Sequence, residues 1–353
     1  MIDVFCGDTI CGGKGDKMKA AVLKSGKIEV VEMPVPELKD KGAIVKISGC
    51  GLCGSDIVKL KHNSVPDGTV LGHEIVGEIV KIDSDSDFEV GDEIVMGHHV
   101  PCFECTYCFG ENYSMCRKFK RTNIIPGGFS EYIYISEDHL MNTVFRLTSN
   151  ISEEEISFTE PLACCVRCVK RCKLDFNANV LVIGLGTIGL LMGQAVREFG
   201  FNAYGIDLIQ ERVQLAKKLG FENAFRLGNL EETVSDMKLE VNPSGFDAII
   251  MTSGADKALD LAFAAVRDGG TINVFSSVKS DETAYPNNQI YYRELTVTSS
   301  YSSSPDDLED AFNLIQNNRV KVHGLTTVYP MEKLNEAIAD TLSNKIMKAY
   351  IKL

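Results

Sequence analysis

The sequence predicts a mixed α/β chain in two parts: a β-rich first part, and a second part folded as a doubly wound parallel sheet. Three observations predict this. From Met18 to about Phe158, short strand-like runs (residues 43–48, 74–82 and 130–135 among them) are separated by Gly, Pro and Asp turns. From Val180 onward, compact apolar runs alternate with stretches of helical period, the pattern of strands joined by helical crossovers. At that change of texture lies a glycine-rich turn, Gly184-Leu185-Gly186-Thr187-Ile188-Gly189. A chain of 353 residues suits two domains better than one.

Taken in order, residues 1–17 carry four glycines and two cysteines, Cys6 and Cys11, without periodicity, and are expected to be a disordered extension. A clean strand pattern starts at Met18. In the second part, strands are expected at 180–183, 204–206, 248–251 and 271–275, with helices at 190–199, 210–219 and 257–266. The last part, from about Ser299, reads as two helices (305–316 and 331–340) and a final strand at 348–353.

The formal net charge of −13 argues against a nucleic-acid or anionic-membrane partner. No apolar run is long enough to span a bilayer, and no secretory signal is visible, so a cytoplasmic protein is expected. Twelve cysteines in that setting point to thiols that serve metals or packing rather than disulfides.

The G-x-G-x-x-G run is a weak signal alone. Here it follows a strand, opens a helix and is followed by Asp207 at the end of the next strand, which is the context of a dinucleotide-binding fingerprint. Gly184 permits the tight turn, Gly186 lets backbone approach a pyrophosphate, and Gly189 lets the helix pack on the strand. Thr187 and Ile188 lie where the new helix offers free N–H groups to phosphate. Asp207 is expected to accept from the ribose hydroxyls and to repel a 2′-phosphate, which predicts NAD(H) over NADP(H). Arg212 either lines the adenine side or is a solvated helix charge.

Two metal constellations stand out. Cys102, Cys105, Cys108 and Cys116 form a C-x2-C-x2-C-x7-C run that can wrap one tetrahedral ion from a single loop, closed to substrate and therefore structural. Cys₄ also suits an iron–sulfur cluster; the rest of the chain decides for zinc. The second set is scattered: Cys53 in Gly51-Leu52-Cys53-Gly54-Ser55-Asp56, His73-Glu74 after Gly72, and Glu160 in Glu160-Pro161-Leu162. A thiolate, an imidazole and a carboxylate make a three-ligand zinc site with a fourth position free for chemistry. Each residue is weak evidence alone; the combination with the fingerprint carries the weight.

These stretches together, spanning roughly residues 50–210, resemble the zinc-dependent medium-chain dehydrogenase/reductase family (zinc alcohol dehydrogenase-like), and within it the sorbitol/polyol and threonine dehydrogenase branch. The resemblance implies a GroES-like catalytic domain at 18–160 carrying the structural zinc loop, a Rossmann NAD-binding domain at 161–298, a segment at 299–353 returning to the catalytic domain, and an active site in the cleft between domains. It implies Cys53, His73 and Glu160 as ligands or near-ligands of a catalytic zinc, and Glu74 as an outer or exchanging ligand. Ser55 would pass the substrate proton outward. Two zinc ions per chain, NAD(H), and a homodimer or homotetramer are expected. The implied activity interconverts a secondary alcohol of polyol or sugar type and its ketone. Threonine 3-dehydrogenase-like, cyclitol or sugar-phosphate chemistry is the alternative within enzymes; a zinc-stabilised NAD-binding sensor or scaffold is the alternative outside them. Joint retention of Cys53, Ser55, His73, Glu74 and Glu160 argues against the scaffold.

Two departures bear on substrate. Relatives often carry a histidine five residues after the zinc cysteine, where Val58 stands here, with His62 expected off-register. The glycine that usually closes the run after Gly269-Gly270 is Ser276. Cys164, Cys168 and Cys172 recur at helical spacing, with Cys165 beside them, and read as small buried residues of a helix contact. His98 and His99 read as strand-end residues, and Asp83, Asp85 and Asp87 as a solvated turn. Arg121 and Arg293 read as surface or domain-contact charges, and pocket loops are expected at 60–65, 119–126 and 287–292.

Overall fold

The computed structural model describes residues 16–38, 40–148, 151–254, 256–276 and 284–353. Cys6, Cys11 and the expected extension up to residue 15 lie outside the described residues. The chain forms two compact units: the described residues up to Glu160 together with His323–Leu353, and Pro161–Val322.

The first unit is built on a mostly antiparallel sheet. In order, its strands are Thr326–Pro330, Lys348–Lys352, Gly42–Gly51, Glu74–Asp83, Glu93–Met96 and Val144–Arg146, with Tyr132–Ser136 pairing Gly42–Gly51 off this path. A hairpin of Lys17–Lys24 and Lys27–Pro34 adds a second small sheet. Its two-residue turn, Ser25-Gly26, takes φ 50° and 76°, the left-handed pair that suits strand twist. The apolar alternation read in the sequence faces one core, in which Ala43, Val45, Ile47, Ile79, Ile94 and Ile133 are at most 2% exposed. Strand register assembles the site. Gly51 pairs Glu74 on one side and Tyr350 on the other, and the Leu52 N–H donates to the Ala349 carbonyl at 3.0 Å.

The second unit is a six-stranded parallel sheet ordered Asn223–Arg226, Asn202–Asp207, Asn179–Ile183, Phe246–Met251, Val266–Val274, Thr296–Ser299. Counted within the unit this is 3-2-1-4-5-6, the doubly wound order with its switch point beside the first strand. Val180, Leu181 and Val182, buried on both faces, are 0% exposed, which is why the strand reads as a continuous apolar run.

The structure redraws several expected elements. The turn-rich stretch after Cys53 is a helix, Gly54–Lys61, and the expected pocket loop at 287–292 is the helix Asn287–Tyr292. The expected helix at 331–340 is a 3₁₀ turn, Met331–Lys333, continued by Leu334–Leu342. The strands Asn223–Arg226 and Thr296–Ser299 and the helix Leu230–Glu240 are additions. The chain returns to the first unit at His323, later than residue 299. The helix Pro305–Gln316 stays with the second unit because Asp307, in a capping box with Ser304, is 2.8 Å from Lys170 and 3.6 Å from Arg167. No helix among the described residues is long and apolar enough to cross a membrane.

Candidate active site and metal centres

The four-cysteine loop closes on itself. Cys105 caps the short helix Thr106–Phe109, and Cys116 ends the 3₁₀ turn Tyr113–Met115. The four sulphurs lie within 4.8 Å of one another. Three pairs measure 3.5 Å (Cys116–Cys102), 3.6 Å (Cys105–Cys108) and 3.9 Å (Cys102–Cys108). Zn–S bonds of about 2.3 Å in a tetrahedron set sulphurs about 3.8 Å apart, so the loop fits one zinc ion. These separations are far longer than a disulfide, and all four thiols are free. Sulphurs this close enclose a single ion rather than a cluster of several irons. Burial works against a Cys116 thiolate, but N–H groups of Phe119 and Cys102 aimed at its sulphur bring the thiol down to about 6, which favours the form a metal needs. Burial pushes the Cys108 thiol up to about 12. We expect Cys116→Ser to lose one zinc per chain by elemental analysis and to lower the thermal midpoint by roughly 10 °C, because a structural zinc contributes folding energy directly.

The second constellation comes from two elements of the first unit, the start of a helix and the start of a strand. Cys53 is the N-cap of Gly54–Lys61, its Sγ accepting from the Ser55 N–H at 3.4 Å. His73 immediately precedes the strand that Glu74 opens. One ligand atom each from Cys53, His73 and Glu74 lie within 4.8 Å of one another. Glu160 is buried in the same unit, 6% exposed, but is not one of those three. Ser55 is exposed, in the first turn of the Cys53 helix.

Asp56 is the residue that sequence reasoning passed over. It is 2% exposed and anchors the constellation from behind. Its Oδ2 accepts from the Cys53 N–H at 3.2 Å and its Oδ1 from the Gly72 N–H at 3.3 Å. Oδ1 also lies 3.4 Å from His73 Nδ1, which leaves Nε2 for a metal. Burial disfavours a charged imidazole, yet Asp56 and Cys53 hold His73 well above its usual range. Anionic donors arranged round His73 in this way suit a cation. The sequence signal for Asp56 is its place at the end of the Gly51–Asp56 stretch, three residues after Cys53, the acidic position of a capping box.

Beside His73 the rings of His98 and His99 continue outward, with centroids 4.6 Å from His73 to His98 and 4.0 Å from His98 to His99. His98 accepts at its carbonyl from His139 Nε2, and His99 Nδ1 is bonded to the Thr122 carbonyl. Burial lowers both rings, His99 to about 4, so they are neutral packing partners of the site. Val58 is 48% exposed, and His62 is the exposed C-cap of the same helix.

In the second unit the fingerprint stands at the switch point. Gly184 takes φ 93° at the end of Asn179–Ile183, and Gly186 caps Thr187–Glu198, so Thr187 and Ile188 form the first turn. A Cβ on Gly189 would lie 1.8 Å from the Gly184 carbonyl oxygen, so the helix approaches the strand only because that position has no side chain. Gly189→Ala is expected to weaken NADH binding at least about ten-fold, read by fluorescence titration, since overpacking here costs about 1–3 kcal/mol. Asp207 Oδ2 accepts from the Leu185 N–H at 2.7 Å and Oδ1 from the Ile209 N–H at 2.8 Å, with Arg212 3.8 Å away. The carboxylate thus ties the glycine loop to the second strand while keeping lone pairs for hydroxyls.

Other candidates take structural places. Cys165, Cys168 and Cys172 are at most 4% exposed, and burial raises the Cys168 thiol, so these are inert packing residues. Arg293 donates to the carbonyls of Phe263 and Val266 at 2.8 and 2.6 Å and pairs Asp268, locking the end of the sheet. Asp85 pairs Lys41 on the surface, and Arg121 is exposed. Ser276 donates its N–H to the Met251 carbonyl at 3.2 Å.

A closed four-thiolate loop, an imidazole–thiolate–carboxylate site and a dinucleotide-binding sheet on one chain define a zinc-containing, nicotinamide-linked dehydrogenase. Residues 39–144 match the alcohol dehydrogenase GroES-like domain and residues 187–317 the zinc-binding dehydrogenase domain. D-xylulose reductase A of Aspergillus oryzae is 30% identical over 342 residues, covering 92% of this chain and 93% of that protein. Sorbitol dehydrogenase of Bacillus subtilis is 27% identical, over 95% and 97% of the two chains. The solved structure of galactitol-1-phosphate dehydrogenase from Escherichia coli superposes with a TM-score of 0.83 at 28% identity, covering 95% of this chain and 100% of that one. The chain belongs to the zinc-dependent medium-chain dehydrogenase/reductase family.

Proposed function

We propose that the enzyme interconverts a secondary alcohol of a polyol or sugar and the corresponding ketone, with NAD(H) as hydride carrier and two zinc ions per chain. The observation that carries this reading is the convergence of Cys53, His73 and Glu74 with Asp56 fixed behind His73. Cys53, His73 and Glu74 are assigned as ligands of the catalytic zinc, Glu160 as a further buried carboxylate that belongs to the same site, and Cys102, Cys105, Cys108 and Cys116 as ligands of the structural one. When bound, the catalytic zinc supplies a Lewis acid at the substrate oxygen and NAD⁺ supplies the hydride acceptor. The chain does the rest. Ser55, exposed two residues after Cys53, takes the hydroxyl proton and hands it outward. Val58 ends any imidazole relay on this helix, so the proton leaves to solvent. Asp56 fixes the His73 ring, and Asp207 selects the ribose with free hydroxyls, which favours NAD(H). The similarity to D-xylulose reductase, sorbitol dehydrogenase and galactitol-1-phosphate dehydrogenase supports a polyol-type substrate. A homodimer or homotetramer is the assembly proposed.

The test is NAD⁺ reduction, followed at the nicotinamide absorbance, across polyols, sugar phosphates, cyclitols, threonine and simple secondary alcohols. Reduction by polyols above all others supports the reading. Preference for threonine or a cyclitol moves the enzyme to another branch. Silence in protein that carries one zinc, or that does not bind NADH, favours a scaffold.

A further inference from the structure

In the second unit, the peptide that joins Gly184 to Leu185 is held at both ends. Its N–H donates to Asp207 Oδ2 at 2.7 Å, at the end of the strand Asn202–Asp207. Its carbonyl accepts from Thr252 Oγ1 at 2.7 Å, from the residue that follows the strand Phe246–Met251. Those two strands flank Asn179–Ile183 in the sheet, so the glycine turn is gripped from both sides at the switch point. Thr252 is itself fixed: its N–H donates to the Ile183 carbonyl at 3.0 Å, and its Oγ1 lies 3.0 Å from the same oxygen. The fit on this side is close. A Cβ on Gly184 would lie 3.0 Å from Thr252 Oγ1 and 3.1 Å from Ser253 Cβ, and a Cβ on Gly189 would lie 3.3 Å from Thr252 Oγ1. A trans peptide is planar, with its C=O and N–H pointing opposite ways. Two anchors on opposite sides therefore set the orientation of the plane, where one alone lets it rock. That plane leads directly into Gly186 and the helix Thr187–Glu198, whose first N–H groups are what the turn offers a pyrophosphate.

We propose that Thr252 is a positioning residue for the cofactor: its hydroxyl latches the Gly184 carbonyl opposite Asp207 and so sets the backbone N–H groups that receive the pyrophosphate. The inference rests on the reading of this turn as the NAD(H) site, and it adds the wall of the crevice that the G-x-G-x-x-G run does not contain. Removing the hydroxyl takes this donor from the Gly184 carbonyl, and the peptide can then turn about its Asp207 anchor. The helix N–H groups meet the phosphates in a spread of orientations, and ordering them again costs affinity for any ligand that carries a pyrophosphate. The adenosine end, assigned to Asp207, keeps its contacts.

The test titrates NADH into the full-length protein by fluorescence, and ADP-ribose and AMP by displacement of NADH. Thr252→Val keeps nearly the same shape without the hydroxyl. In it we expect NADH and ADP-ribose to bind about ten-fold more weakly, the effect of one lost hydrogen bond, and AMP, which has no pyrophosphate, to stay within about two-fold of the parent. In Thr252→Ser, which keeps the hydroxyl, all three ligands should stay within about two-fold of the parent. In both variants kcat at saturating NAD⁺ should hold, so that the loss in Thr252→Val falls on KM. A threonine that only fills space predicts the reverse order, with valine near the parent and serine impaired. That order, unchanged binding in both variants, or a loss shared equally by AMP overturns the proposal. Should Thr252→Val fail to fold, Thr252→Ala replaces it: the same loss for NADH and ADP-ribose with AMP spared supports the latch, and any other pattern overturns it. A parent protein that binds neither NADH nor ADP-ribose overturns the NAD(H) reading and the inference with it; a parent that binds both, with no response to Thr252→Val, overturns the inference alone.

Discussion

Cys53→Ser is expected to lower kcat by about a thousand-fold or more while leaving NADH affinity within about two-fold. A metal that stabilises charge at the substrate oxygen contributes several kcal/mol to the transition state, and each 1.36 kcal/mol is about a factor of ten in rate. Cys53 is the softest donor of the constellation and the N-cap of the helix that also presents Ser55 and Asp56. Serine preserves the cap, because its hydroxyl can accept the same N–H, so the fold should survive and the loss should fall on the metal. The checking measurements are steady-state kinetics, NADH titration and a zinc count, which should drop from two to one per chain. Full activity in the serine variant would sink the assignment of Cys53.

Asp207→Ser is expected to lower the preference for NAD⁺ over NADP⁺ by about a hundred-fold. Part of that is loss of repulsion toward a 2′-phosphate, with Arg212 released at the same place to meet it. Part is loss of the acceptor for ribose hydroxyls. The carboxylate also receives the N–H groups of Leu185 and Ile209, and leaving such donors unpaired costs about 1–3 kcal/mol each. The variant should therefore bind both cofactors less rigidly and raise KM for NAD⁺ at least about ten-fold. The ratio of kcat/KM for the two cofactors is the readout; an unaltered ratio would show that Asp207 only braces the loop.

What was legible in the sequence was local. The four cysteines of the loop lie within fifteen residues, and their spacing alone dictates that the sulphurs can meet. The glycine fingerprint is equally local: the steric reason for Gly189 is its contact with the carbonyl of Gly184, five residues earlier. The doubly wound parallel class followed from apolar runs that alternate with helical period, whereas the strand order, which includes Asn223–Arg226 and Thr296–Ser299, did not. The support of the Cys53, His73 and Glu74 constellation was not legible, because it depends on strand register. Lys348 meets Glu74 only because the last strand pairs Gly49, Cys50 and Gly51, and no spacing in the chain announces that. Asp56 was visible as part of a motif, but its bond to His73 is a tertiary fact. The helix after Cys53 was hidden by Gly54 and Ser55, turn-forming residues that here make a capped first turn. The return of the chain at His323 was hidden for the same kind of reason, since Asp307 holds its helix to lysine and arginine far back in sequence.

The most direct test of the account is polyol-dependent reduction of NAD⁺ by the purified protein before chelation, after removal of the catalytic zinc, and after zinc is returned. The account predicts NADH formation that stops with the metal gone and resumes when it is restored, with the structural zinc retained throughout. Activity indifferent to chelation, or a two-zinc, NADH-binding protein inert toward every polyol and secondary alcohol, would contradict it.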